Sequence, residues 1–488
     1  MTEPDTPLEI LDTPEAGSKV IRGGAMRAAG YVGGVLVGLI STPLMVRHLG
    51  VDDFGRYITV SSLIFIVGGL TELGLSNVAL REYTLREPAE RRRLIQNVVG
   101  MRTVLTVAGV ALATLFALGV GYTDVMVLGT LVAGAGLVAT NLQYTYTVPL
   151  SASLRLGWVA ALDLIRQVVI AVLIIALVIA GASLLPFFAV ALASGVVSLA
   201  VTVWLVRRDV PLRPARDYGQ WWRLLRDTLP YAAATAVAIL YFRIAVILMS
   251  LIASPAETGY FSAAFRIIEI VSAIPWLLIT SAFPVMVRAA RDDQDRLRYA
   301  LQRLFEVALI AGVWMALVIW MGAPFAIDVI GGDRFEPATD ALRALGFAMI
   351  GTFLVATWGL ALLSLHRHTA LLLANAAAVA IGTVATLVLE PSLGAEGAAI
   401  ATAAAELGLG VIYIGVLAGY RRDLLPDVRI ALPVLAAVAI AAVPAIIGGI
   451  PSVVLALGAT LLYFGVLLAL RAIPKEVTDA LRRRGSFA

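Results

Sequence analysis

The chain contains no cysteine, which excludes disulfide frameworks, thiol nucleophiles and thiolate-bound metals. Histidine is nearly as scarce. The three present, His48, His366 and His368, fall in loops or at helix ends without metal-like companions, so no metal site is assigned. No G-x-x-x-x-G-K-[ST] phosphate loop occurs, so neither ATP-driven work nor a cofactor is expected. Charge is thin as well. Only 14% of the 488 residues are charged, 60% are hydrophobic, and mean hydropathy is +0.92. Ordinary globular domains hold far less apolar sequence.

What is present is a series of apolar blocks of about 20 residues, the length a helix needs to cross about 30 Å of hydrocarbon. Fourteen such blocks can be counted, so the expected fold is all-α and polytopic. The net charge of +4 does not point to nucleic acid, because the basic residues lie between apolar blocks and not on a soluble face. Alternate connections hold thirty and four Lys and Arg respectively, with Arg166, Arg243 and Arg266 left inside spans. The positive-inside rule then places both termini in the cytoplasm of a multi-pass inner (plasma) membrane protein. The expected organisation is a disordered cytoplasmic tail over 1–24, six spans over 25–206 and an amphipathic cytoplasmic linker over 207–227. Six further spans over 228–420, two appended spans over 421–471 and a basic cytoplasmic tail over 472–488 follow.

The two sets of six spans repeat one another. Gly55 matches Gly259, and Arg93-Leu94 with Ala108-Gly109-Val110 matches Arg296-Leu297 with Ala311-Gly312-Val313, at offsets of 204 and 203. Arg207-Arg208-Asp209 matches Arg421-Arg422-Asp423 at 214. Because six is even, the two lobes should enter the membrane in the same direction, related by a pseudo-twofold axis along its normal, with a cleft between them.

The first loop, Arg47-His-Leu-Gly-Val-Asp-Asp-Phe-Gly-Arg-Tyr57, resembles the R-x-L-G-x-x-x-F/Y-G-x-Y stretch of polysaccharide and O-antigen flippases. Glu72-Leu-Gly-Leu75 and Arg81 continue the likeness. So do Glu257-Thr-Gly-Tyr-Phe-Ser-Ala-Ala-Phe-Arg266 through Pro275 to Ala282-Phe-Pro284, and Leu393-Gly-Ala-Glu-Gly-Ala-Ala-Ile-Ala-Thr402. The wider superfamily also contains multidrug exporters and the lipid II flippase. The resemblance implies two lobes around a cavity that opens alternately to each side, and a lipid-linked oligosaccharide as cargo. The chain departs from the family in span seven, where members often carry an acidic or polar residue and this chain has Arg243, so ion-coupling roles there do not transfer.

An ionisable residue in hydrocarbon costs about 2.5–3.5 kcal/mol on insertion scales, so each is a functional candidate. Arg243 lies deep in span seven; it is either a bidentate phosphate contact or an arginine held by an acid on another helix or snorkelling to an interface. Arg266 and Glu269, three apart on span eight, form either a local ion pair or, by the resemblance, a diphosphate contact beside a proton-exchanging acid. Glu72, Glu306 and Glu406 are candidate ion-coupling sites or interhelical hydrogen-bond acceptors. Asn77 and Asn141 are candidate sugar contacts, and Asn97, Gln143, Tyr144 and Asn375 are further polar residues for a hydrated cavity. Trp221-Trp222 among Arg213, Arg216, Arg223 and Arg226 reads as an amphipathic segment on anionic lipid or as a partner-docking surface.

A glycan's hydroxyls each cost about 2–7 kcal/mol if carried unpaired into hydrocarbon, so such a head group does not cross unaided. The expected function is therefore a flippase for a polyprenyl-phosphate- or diphosphate-linked oligosaccharide. Expected partners are that substrate, membrane lipids and polysaccharide-assembly enzymes. Two other classes stay open. A multidrug or cation exporter would favour an anionic or aromatic cavity, and a membrane glycosyltransferase or polymerase would need paired acids on sizeable outward loops.

Overall fold

The computed structural model describes residues 15–72, 74–208, 210–211, 213–275, 283–446 and 449–474. The expectations for residues 1–14, for Ala282 and for the basic tail from 475 onward lie outside these. Among the described residues there is no strand. The protein is an all-helical membrane protein. Its large side chains face outward in bulk, Ile179, Leu112, Leu432, Leu461 and Ile446 among them. Soluble monomers do not expose apolar surface on this scale, whereas lipid requires it.

The chain divides into two compact units, Met1–Arg243 and Ile244–Ala488. The first contains α1 (Glu15–Glu72), α2 (Leu75–Leu85), α3 (Pro88–Gly119), α4 (Asp124–Tyr146), α5 (Val148–Ala152), α6 (Leu156–Ile179), α7 (Leu184–Val206) and most of α8 (Tyr218–Ile252). At 58 residues α1 is far longer than one bilayer crossing. It turns at Gly50, whose φ of 72° and ψ of −178° belong to a region open essentially to glycine alone, so two spans are joined without a loop. α4 packs against α1, α3 and α7, and α1 packs along α6.

The α4–α7 crossing is set by backbone proximity. A Cβ on Gly136 would stand 2.6 Å from the amide nitrogen of Leu192, and one on Gly195 would stand 2.8 Å from the Gly136 carbonyl oxygen. Small residues allow such approach where no hydrophobic force drives helices together.

The second unit contains α9 (Pro255–Val271), α10 (Phe283–Asp292), α11 (Gln294–Gly331), α12 (Ala338–Ser364), α13 (His368–Tyr420), α14 (Ala431–Ala442) and α15 (Ser452–Ala469). α12 is its most enclosed helix, packed against α9, α10, α11 and α13. Like α1, α13 holds two spans, turning at Gly394 with φ of 56°. A Cβ on Gly351 would stand 2.8 Å from the nitrogen of Leu407, so α12 and α13 cross as closely as α4 and α7 do in the first unit. The appended α14 and α15 pack on α11, where Tyr463 donates to the Ile310 carbonyl at 3.0 Å and Trp314 Nε1 to Thr460 Oγ1 at 3.1 Å.

Candidate functional site

The helix ending at Glu72 stops where Gly74 takes a left-handed φ of 73°, and α2 restarts at Leu75. The break exposes backbone donors within a span. Glu72 Oε1 accepts one of them, the Ser76 amide, at 3.1 Å. Its other carboxylate oxygen forms an ion pair with the Arg102 guanidinium. Arg102, which hydropathy alone groups with the loop cations, lies inside α3 with its side chain wholly buried. That removes one charge from the loop count and leaves the strong asymmetry in place. Arg102 also donates to Thr145 Oγ1 at 3.0 Å and to Ser76 Oγ at 3.3 Å.

Asn141 extends the same network. It is buried and donates to Thr71 Oγ1 at 3.1 Å and Thr106 Oγ1 at 2.9 Å, while Thr145 Oγ1 donates back to the Asn141 carbonyl at 3.0 Å. A buried polar belt thus joins α1, α2, α3 and α4. Its arginine is sealed, whereas the Glu72 side chain is 33% exposed, so the pair lies at the edge of the packed helices and not at their centre. Buried polar groups in such surroundings must satisfy one another, and a network of this kind fixes the helices it joins.

The other candidates lie apart from this belt. Asn77 is exposed on α2. Arg243 is buried in α8, its guanidinium carbon 4.4 Å from the Phe65 ring centre and 5.3 Å from that of Phe242, a cation–π arrangement. In the second unit Arg266 and Glu269 form the i,i+3 ion pair at 2.6 Å. Glu306 accepts from Arg303 at 2.6 Å and from Gln302 at 2.9 Å on its own helix, and Glu406 accepts from Thr352 of α12 at 3.3 Å. Asn375 donates to the Tyr413 hydroxyl at 2.8 Å.

Asn97 does different work from lining a cavity. Its amide donates to Gln220 Oε1 at 2.7 Å, and its oxygen accepts from the Asp217 amide at 2.9 Å and from Trp221 Nε1 at 3.2 Å. With the Ala215 amide on the Gln96 carbonyl at 3.0 Å, it clasps the segment before α8 onto α3.

Glu257 explains two of the sequence motifs together. Its carboxylate accepts from the Ala395 amide at 2.6 Å, at the turn where Gly394 brings the backbone against it. The acid of one motif therefore caps the helix begun by the glycine of another.

Sequence reasoning missed Arg102, Thr71, Thr106 and Thr145. The usable signal was Arg102 itself, four residues inside the apolar run that starts at Val98.

A many-spanned helical protein, with glycine-turned span pairs and a charged belt inside its first unit, has the fold of the MOP exporters. The likeness to the lipid II flippase MurJ in an inward closed conformation has a TM-score of 0.74 at 12% identity, over 92% of this chain and 99% of that one. An inward-facing multidrug resistance MATE family transporter gives 0.58 at 17%, over 80% and 94%. A MOP superfamily transporter from Pyrococcus furiosus Vc1, described by the reverse polarity of its binding pocket, gives 0.55 at 17%, over 86% and 99%. No curated protein matches the sequence. Residues 20–290 match the polysaccharide biosynthesis protein family, and the chain belongs to that family.

Proposed function

We propose that the protein is a flippase that moves a polyprenyl-phosphate- or diphosphate-linked oligosaccharide from the cytoplasmic to the outer leaflet by alternating access, and not an enzyme. The carrying observation is the coincidence of the polysaccharide biosynthesis family with a fold similar to MurJ along 92% of the chain. In this reading the protein resides in the inner membrane with both termini cytoplasmic, and polysaccharide-assembly enzymes supply and consume its substrate. Arg243 and Arg266 hold the phosphates, with Asn77 and Asn141 as sugar-side polar positions. Glu269, Glu306 and Glu406 join Glu72 as acids that can exchange a proton or sodium ion.

Glu72 is the acid whose surroundings best support a coupling role, because its partly exposed side chain sits against a sealed guanidinium. Protonation of Glu72 would leave the positive charge of Arg102 uncompensated and so favour an anion nearby. The membrane potential is the alternative drive, supplying about 2.3 kcal/mol per charge per 100 mV to an anionic head moving outward.

Reconstitution into proteoliposomes with a lipid-linked oligosaccharide labelled on its sugar tests the reading. The expected result is protein-dependent appearance of label in the opposite leaflet, lost in R266A while membrane insertion persists. Absence of flipping by the intact protein under both an imposed potential and an imposed pH gradient overturns it. The likeness to MATE transporters supports drug or cation export as the second reading. Extrusion of a cationic dye by the same vesicles, without lipid movement, would select it.

A further inference from the structure

The junction between α7 and α8 carries six arginines, Arg207, Arg208, Arg213, Arg216, Arg223 and Arg226, against three aspartates, Asp209, Asp217 and Asp227. All six arginines are exposed. At 100° per residue the first turns of α8 have two distinct faces. Gln220, Trp221, Leu224 and Thr228 form the buried one, held by Asn97 and by packing against Val206 and Val210. Tyr218, Trp222, Arg223, Arg226 and Leu229 form the other, with Tyr218, Trp222 and Leu229 each at least 64% exposed.

The clasp also fixes the depth of this face. α7 has 23 residues, about 34 Å at 1.5 Å per residue, which is one crossing, so Val206 at its end marks the hydrocarbon boundary. Trp221 and Leu224 belong to the core cluster that contains Val206, which keeps the opposite face of the same helical turns near that end of α7. α3 gives an independent reading. Counting about 20 residues back from its far end at Gly119 reaches the turn of Gly100, next to Asn97. Aromatic rings and arginines held at that level meet lipid head groups: the rings sit at the boundary and the guanidiniums reach phosphate oxygens.

We infer that the exposed Arg-aromatic face at the start of α8, oriented by the Asn97 clasp, is a binding surface for the head groups of anionic phospholipids. Phosphatidylglycerol fits it, offering one net negative charge and a phosphate to each guanidinium fork. A zwitterionic phosphatidylcholine presents its own cation to the same arginines and is disfavoured. The surface is separate from the residues proposed to handle the transported substrate.

Native mass spectrometry of the full-length protein in detergent, titrated with phosphatidylglycerol or phosphatidylcholine, tests the inference. The intact protein is expected to retain phosphatidylglycerol preferentially, with the preference shrinking as salt rises. The R223Q/R226Q variant should weaken phosphatidylglycerol binding about 25-fold, roughly fivefold per arginine, and leave phosphatidylcholine unchanged. The R288Q/R291Q variant, neutralised at a different basic connection, should behave like the intact protein. Equal binding of the two lipids by the intact protein overturns the inference. So does an unchanged preference in R223Q/R226Q, or an equal loss in R288Q/R291Q. Full displacement of phosphatidylglycerol by inorganic diphosphate would also overturn it, identifying a soluble phosphate site instead of a lipid surface.

Discussion

Substituting the members of the Glu72–Arg102 pair separately and together gives a sharp test of the polar belt. In E72Q the guanidinium keeps Thr145, Ser76 and a neutral amide oxygen as partners, but loses its counter-charge while remaining wholly buried. Breaking a buried pair in this way costs about 3–5 kcal/mol, because an uncompensated charge remains in a low dielectric. In R102M the orphaned group is a carboxylate with 33% of its side chain exposed, which can hydrate or bind a proton, so the cost should be smaller, about 1–3 kcal/mol. The double variant removes both charges and keeps much of the side-chain volume, so it should cost less than the two single changes combined, with a coupling energy of about 1.5–3 kcal/mol. Denaturant titration in mixed micelles, following tryptophan fluorescence, measures all three. Additivity within about 0.5 kcal/mol would refute the pair as an energetic unit. E72Q milder than R102M would refute the assignment of the arginine as the sealed partner.

Three further predictions follow from the packing and the turns. Gly394→Ala puts an L residue at a φ of 56° and drives its Cβ into the Glu257 carboxylate, and should cost at least about 1–2 kcal/mol, read as a lowered thermal midpoint. Gly136→Val forces α4 and α7 apart against backbone atoms of Ala191 and Leu192; a loss of about 1–3 kcal/mol is expected, whereas Gly119→Val, with open space around it, should be neutral in the same thermal assay. Asn97→Ala strips Gln220, Asp217 and Trp221 of their shared partner and should cost about 2–3 kcal/mol, while limited proteolysis should cut the segment before α8 faster than in the intact protein.

The spans were readable because the bilayer imposes one length on every crossing helix, and apolar blocks of that length stand out in a chain with so little charge. The Arg266–Glu269 pair was readable because three residues along a helix place both groups on one face. The turns at Gly50 and Gly394 were not, since hydropathy says where a chain is buried and nothing about one residue's φ and ψ. Arg102 escaped because its partner lies thirty residues back on another helix, and an arginine near the start of an apolar run looks the same whether it faces head groups or an acid. The clasp made by Asn97 is illegible for the same reason: the three partners that define it lie some 120 residues away.

The position of Glu72 ahead of Arg102 in the chain also bears on how the protein is made. A ribosome delivers the carboxylate to the translocon thirty residues before the guanidinium, so the partner precedes α3 to the membrane. The arginine that would by itself weigh against partitioning of α3 meets its counter-ion on entering the bilayer. Nascent chains stalled after α3 should therefore integrate that segment efficiently with Glu72 present and poorly with glutamine in its place.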